Sequence, residues 1–157
     1  MDHLWYFWHN QISTEDVKKN AIWLPDYQAD IIAQPIPGIE NNASDITFDY
    51  DRNTLWVIVN KPSLLIELDL DLNLLRSVTL QGFEDTEAVA YIGDGMFAIG
   101  DERSQTVVLC KITENTQQLD KKKLKQLSIN LDGYNNKGLE GIAIDPITNT
   151  IFLARER

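Results

Sequence analysis

The chain has 157 residues, enough for one domain with its own hydrophobic core. Hydrophobic residues make up 43% and charged residues 24%, which excludes a disordered chain, a collagen-like repeat and a membrane bundle. The net charge of -10 argues against nucleic acid as a partner, because affinity for phosphate backbones comes largely from Lys and Arg. The longest apolar runs are far shorter than the ~20 residues of a membrane-spanning helix, so no membrane span is predicted.

Residues 1–42 form an N-terminal segment whose pattern indicates no clear structure or role. A short amphipathic helix is predicted from about Ser13 to Ile22, with Ser13 or Thr14 as its N-cap. The first residues, Met1-Asp2-His3, lack the positive charge and the apolar run of a secretory signal. The sequence therefore predicts neither a signal peptide nor an anchor.

Residues 43–157 alternate short apolar runs with turn residues, which is typical of an all-β domain. Convincing helical periodicity is missing from this region. The predicted strands cover residues 46–48, 55–59, 63–69, 74–80, 89–92, 97–99, 106–112, 125–131, 142–144 and 151–154.

An internal repeat organises these strands. Residues 46–61 align with residues 142–157 without a gap, and residues 89–103 fit the same pattern with one residue deleted at the turn. Unrelated hairpins also place Asp and Asn in their turns, but an ungapped alignment between two of them is not expected. Repeats of about 40 to 50 residues that contain several short strands are typical of β-propeller blades. We therefore predict about three blades, starting near residues 44, 87 and 140.

The repeat also aligns acidic residues that a hydrophobic pattern does not require. Ser44, Glu87 and Glu140 stand two residues before the first core residue of each unit. If the first strand is innermost, these side chains face one mouth of the central channel, where gathered carboxylates need a cation or protons. Calcium, which takes six to eight oxygens in an irregular shell, suits such a place. We expect Glu87 and Glu140 to bind calcium, with Asp85 as a second ligand and Glu102 as a supporting partner.

The ends of the three units carry a second set of aligned polar residues. These are Asn60-Lys61, Glu102-Arg103 and Glu156-Arg157. For the two acid–arginine pairs, the sequence leaves open whether they contribute to a metal site or form ion pairs that hold adjacent blades together.

The single cysteine, Cys110, lies in an apolar strand-like run. A nucleophilic thiol would need a partner histidine, and both histidines lie at the far N-terminus. We therefore expect a buried structural thiol.

The one basic run covers residues 121–125. A solvated turn or strand edge is the expected interpretation, and a small anion-binding patch is the alternative.

Three separate motifs resemble the SdiA-regulated (YjiK-like) family of bacterial proteins. They are SDITFD with NTLWVIVNKP (residues 44–49 and 53–62), DTEAVAYIG with GDER (85–93 and 100–103), and NKGLEGIA with ARER (136–143 and 154–157). The resemblance covers about residues 36–157. It implies a five-bladed β-propeller, distantly related to NHL-repeat propellers, with a calcium site and a place in the cell envelope behind an N-terminal membrane anchor. It implies no established enzymatic activity.

Two departures from the family bear on these expectations. The anchor is missing from this sequence, and the chain stops after about three repeats where the family continues for roughly two more blades. We therefore expect a fragment of a propeller.

The predicted function is a non-catalytic, calcium-binding propeller that acts as a platform for a small ligand or a protein at the channel mouth. One alternative is a metal-dependent hydrolase of lactones or phosphoesters, in which the cation polarises the substrate. The other is a purely structural propeller, in which the acidic residues only form ion pairs.

Overall fold

Strands dominate the computed structural model, which describes residues 27–39, 41–129, 138–145 and 147–155. The chain divides into two compact units, Met1–Gln34 and Pro35–Arg157. The helix predicted from Ser13 to Ile22 lies outside the described residues, and the predicted boundary at residue 42 stays a prediction. Among the described residues, no helix has the length and apolar character needed to cross a bilayer.

The second unit is built from short strands, which confirms the all-β prediction. Within the described residues the strands are β1 (Ala43–Asp49), β2 (Thr54–Val59), β3 (Leu64–Leu68), β4 (Leu74–Gln81), β5 (Thr86–Gly93), β6 (Met96–Asp101), β7 (Thr106–Lys111), β8 (Gln118–Asp120), β9 (Lys125–Ser128), β10 (Leu139–Asp145) and β11 (Thr150–Arg155).

The strands form three sheets that follow one another along the chain, as expected for a β-propeller. The first has the order β1-β2-β3-β4-β8, the second β5-β6-β7-β9, and the third, in the part described, pairs β10 with β11. Strand β8 comes from the connection between β7 and β9, yet it pairs in parallel with β4 of the preceding sheet. It thereby covers the edge of the first sheet, which would otherwise expose unpaired backbone groups.

The internal repeat has a direct counterpart in the backbone. The pairing register shifts once near the start of each first strand, across Ser44 in β1, Glu87 in β5 and Glu140 in β10. Each of these three residues is therefore the extra residue of a β-bulge, which locally re-aims the side chains of a strand. The aligned residues thus occupy equivalent places in the three sheets.

Asp49 and Asp145, and likewise Asn53 and Asn149, occupy matching turn positions in the aligned repeat, and each pair has the same local structure. The side chains of Asp49 and Asp145 each accept a hydrogen bond from the backbone N–H two residues later, which is the geometry of an Asx turn. Asn53 and Asn149 adopt left-handed backbone conformations with φ of 58° and 53°, which Asn tolerates better than most residues.

Adjacent sheets pack face to face and are also joined by polar contacts. Asp45 Oδ2 accepts the Val89 N–H over 2.9 Å, and Thr47 Oγ1 accepts the Tyr91 N–H over 3.0 Å. These bonds run from β1 to β5, so the first strands of consecutive sheets are neighbours, as in a propeller. The core between the first two sheets contains Trp56, Ile58, Leu65, Val78, Leu80, Phe83, Val89, Tyr91, Phe97, Ile99, Val108, Cys110, Ile112 and Leu119.

The position of Cys110 confirms the prediction of a buried thiol. Its side chain belongs to this core, and burial raises the pKa of the Cys110 thiol to about 12. A thiol with this pKa is almost entirely protonated near neutral pH, so it is a poor nucleophile.

The expectation of a solvated basic run is wrong for its first residue. Lys121 is only 5% exposed, and its Nζ lies 2.8 Å from Oδ2 of the fully buried Asp101. The buried carboxylate makes burial of the lysine tolerable, because it supplies the compensating charge. Lys122, Lys123 and Lys125 are exposed, as expected.

Candidate cation site

Three of the predicted acidic residues converge where β5 begins and β6 ends. Asp85 immediately precedes β5, Glu87 is its bulged residue, and Glu102 immediately follows β6. Because β5 and β6 are antiparallel, with Thr86 paired to Asp101, the start of one strand meets the end of the other. One carboxylate oxygen from each of the three residues lies within 4.8 Å of the other two.

Asn60 links this acidic group to the first sheet. It directly follows β2, and its Nδ2 donates to Asp85 Oδ1 over 2.6 Å and to Glu87 Oε1 over 2.8 Å. The other end of the amide is different, since Asn60 Oδ1 is buried and accepts no hydrogen bond from the described residues. A buried polar atom without a partner is unfavourable by about 1–3 kcal/mol, so this oxygen needs an explanation.

Gly138, which directly precedes β10 of the third sheet, contacts one of the three acids. Its backbone N–H donates to Glu102 Oε1 over 3.0 Å. A Cβ at this position would lie 1.8 Å from Cγ of Glu102. The close approach of the glycine backbone to the glutamate therefore depends on the missing side chain.

Arg103 partly offsets the negative charge. Its Nη2 lies 3.4 Å from Asp85 Oδ2, and the arginine side chain is 62% exposed. This ion pair lies within the second sheet rather than between sheets. Hydrogen bonds from Asn60 and Gly138 join the acidic group to the neighbouring sheets.

The fourth predicted ligand, Glu140, is placed differently. It occupies the bulge of β10 that is equivalent to Glu87 in β5, but it is exposed and does not belong to the group formed by the other three acids. A role for Glu140 in metal binding stays a prediction. Glu156 and Arg157 lie outside the described residues.

Two residues of the site were not assigned roles from the sequence. In the repeat alignment Asn60 occupies the position of Glu102, and this match is the sequence signal that could indicate a role for Asn60 in the site. Gly138 matches Asp85 in the same alignment, but a glycine gives no sign of a close approach to a glutamate from another sheet.

Comparisons with known proteins agree with this architecture. The model of a family described as SdiA-regulated matches residues 19–157, and so extends into the N-terminal segment. Among solved structures, hydrazine synthase from Kuenenia stuttgartiensis is similar to this chain, with a TM-score of 0.54 and 19% sequence identity. The similarity covers 77% of this chain but only 32% of that one, and it shows a shared β-propeller-like fold alone.

Proposed function

Because the chain belongs to the SdiA-regulated family, we propose that it is a non-catalytic, calcium-binding β-propeller of the bacterial cell envelope that serves as a binding platform. Calcium would be held by Asp85, Glu87 and Glu102. The location is proposed from the family resemblance. The observation that carries the calcium proposal is the convergence of three carboxylates, two of which share the Asn60 amide as a donor.

The spacing of the carboxylate oxygens supports a shared cation. Calcium binds oxygens at about 2.3–2.6 Å, so two ligands on opposite sides of one ion are about 5 Å apart. The oxygens of Asp85, Glu87 and Glu102 lie within 4.8 Å of one another, which allows all three to contact the same ion.

The charge of the site also favours a divalent cation. The site brings three carboxylates together, and Arg103 lies near one of them, Asp85. Like charges at this separation repel one another, and a bound cation relieves the repulsion more completely than hydrogen bonds do.

Asn60 can serve the site with either end of its amide. Its Nδ2 bridges Asp85 and Glu87, and a half-turn of the amide would exchange this donor for Oδ1. In the turned amide the oxygen would face Asp85 and Glu87, and an amide oxygen is a suitable ligand for calcium. The same side chain would thus hold the carboxylates together without the ion and coordinate the ion when it is bound.

The platform function follows from the number of ligands. Calcium takes six to eight oxygens, and three carboxylates with one amide leave coordination positions for water or for an oxygen-bearing group of a small ligand or a protein. The same cation would serve the alternative hydrolase, which stays a prediction.

The test is isothermal titration of the chelated protein with calcium. We expect binding with one ion per chain, and we expect Glu87→Gln to weaken it by at least about tenfold, because the amide keeps the shape of the side chain and removes its charge. Glu84→Gln is the matched control, since Glu84 is exposed and directly precedes Asp85 but does not belong to the group of three acids. Wild-type protein that binds no calcium, or equal effects of the two substitutions, would contradict the proposal.

A further inference from the structure

The buried ion pair of Lys121 and Asp101 lies next to the acidic group in the chain, since Asp101 directly precedes Glu102. Lys121 Nζ is 2.8 Å from Asp101 Oδ2 and 2.6 Å from Ser104 Oγ. Asp101 is 0% exposed and Lys121 is 5% exposed. Neither residue is among the three acids that would bind the cation.

The Asp101 carboxylate connects the two backbone segments that carry those acids. Its Oδ2 accepts the N–H of Glu84, which precedes Asp85, over 3.1 Å. Its Oδ1 accepts the N–H of Ser104, in the turn that follows Glu102, over 3.3 Å. The two segments are also joined directly, because the Glu102 N–H donates to the carbonyl oxygen of Asp85 over 2.7 Å.

We infer that Lys121 is a positioning residue of the cation site: by pairing with Asp101, it holds the segment of Asp85 and Glu87 against the segment of Glu102. Without the lysine, Asp101 would be a buried carboxylate with no compensating charge. The carboxylate would then be displaced from this position, and both backbone N–H groups would lose their charged acceptor. This inference rests on the proposed calcium function.

Lys121 itself is fixed from the first sheet. It directly follows β8, whose Asp120 pairs with Gln81 of β4, and its Nζ lies 5.7 Å from the centre of the Phe83 ring. The ammonium group is therefore held by strand pairing as well as by its acceptors. Residues that support metal ligands in this way commonly change metal affinity about 10- to 100-fold when they are replaced.

The experiment compares two double substitutions, each of which removes both partners of one ion pair. Asp101→Asn with Lys121→Met is expected to weaken calcium binding by about tenfold or more. The control is Glu67→Gln with Arg76→Met, because Glu67 is 5% exposed, its Oε2 lies 2.6 Å from Arg76 Nε, and neither residue belongs to the acidic group. The control should lower the melting temperature and leave the dissociation constant for calcium within about twofold of wild type.

A milder substitution covers the case in which the first double variant does not fold. Ser104→Ala removes one of the two acceptors of Lys121 Nζ and should weaken calcium binding in the same direction by a smaller factor. Unchanged calcium affinity in the folded Asp101→Asn/Lys121→Met variant, or in Ser104→Ala where only that variant folds, would overturn the inference. Equal weakening in the Glu67→Gln/Arg76→Met control would overturn it too.

Hydrogen exchange in the chelated protein separates this inference from the calcium proposal. We expect the Glu102 amide to exchange faster in the Asp101→Asn/Lys121→Met variant, and in Ser104→Ala, than in the control. Faster exchange combined with a wild type that binds no calcium would support the positioning role and contradict the calcium proposal. Unchanged exchange at Glu102, with calcium bound normally by the wild type, would contradict the positioning role alone.

Discussion

Asn60 Nδ2 donates to Glu87 Oε1 over 2.8 Å, and these two residues belong to consecutive sheets of the fold. The bond therefore crosses the junction between the first and second sheets. It joins the residue after β2 to the bulged residue of β5. The same amide reaches Asp85, so one neutral side chain bridges two carboxylates that would otherwise repel each other.

Replacing Asn60 should weaken both the junction and the cation site. We expect Asn60→Ala to lower the free energy of unfolding by about 1 kcal/mol, because the loss of a donor to two carboxylates outweighs the removal of the unpartnered Oδ1. Urea denaturation of the chelated protein measures this change. Asn42→Ala is the control, since Asn42 Nδ2 donates to an exposed backbone carbonyl, that of Lys61. Equal losses for the two variants would contradict the bridging role of Asn60.

Gly138 should tolerate substitution poorly although it lies outside any strand. A Cβ there would overlap the Glu102 side chain, so we expect Gly138→Ala to displace the glutamate and to lower the free energy of unfolding by about 1–3 kcal/mol. Gly141→Ala is the matched control in the same region, because its Cβ would meet the Ala154 Cβ at 3.4 Å, without overlap. Thermal melting of both variants, with calcium titration of each, measures the difference. A Gly138→Ala protein as stable as Gly141→Ala would contradict the close contact seen here.

The features predicted correctly from the sequence are those that depend on neighbouring residues. The turns after β1 and β10 form through local contacts, the Asx turns of Asp49 and Asp145 and the left-handed Asn53 and Asn149. Turn residues between apolar runs are therefore enough to indicate where these turns lie. Alternation of apolar residues likewise indicates each strand.

The composition of the acidic group depends on contacts between sheets, which a single repeat unit does not reveal. At the first junction Asn60 meets Asp85 and Glu87, whereas at the second junction Glu102 meets the backbone of Gly138. Gly138 stands at the position equivalent to Asp85, so the third unit lacks one of the acids that surround Glu87. Aligned position therefore predicts where Glu140 lies in its strand, but not which groups surround it.

Burial of Lys121 was not predictable for a related reason. A run of lysines is usually solvated, and its acceptor Asp101 lies 20 residues earlier in the chain. The parallel pairing of β8 with β4 brings the first lysine of the run to the buried Asp101. The sequence pattern contains no signal for that pairing, since β8 has three residues.

The thiol of Cys110 should resist alkylation in the folded protein. Burial raises its pKa to about 12, so at about pH 8 very little thiolate is present, and the core excludes the reagent. The chain has a single cysteine, so mass spectrometry after iodoacetamide treatment reports on this residue alone. We expect negligible labelling in buffer over the time in which the urea-unfolded chain is fully labelled. Equal rates in the two conditions would contradict burial of the thiol.

Tyr91 should make the fold sensitive to alkaline pH. Its side chain lies in the core between the first two sheets, and its hydroxyl donates to the Asp51 carboxylate and accepts the Gly95 N–H. Burial, followed by the hydrogen bond to Asp51, raises the pKa of Tyr91 well above its ordinary value of 10.0. The tyrosine therefore holds its proton more tightly in the folded state than in the unfolded state.

The direction of the pH effect follows from that difference. Below about pH 10 the hydroxyl is protonated in both states, and its contribution to stability is fully present. Above about pH 10 the unfolded chain loses the proton first, so the free energy of unfolding falls by up to about 1.4 kcal/mol for each further pH unit. Urea denaturation between neutral pH and about pH 11 measures this decline, which should be shallower in Tyr91→Phe. Tyr27→Phe is the control, because Tyr27 is 66% exposed, and it should follow the wild-type curve. If Tyr91→Phe declines as steeply as the wild type, another group accounts for the alkaline loss of stability.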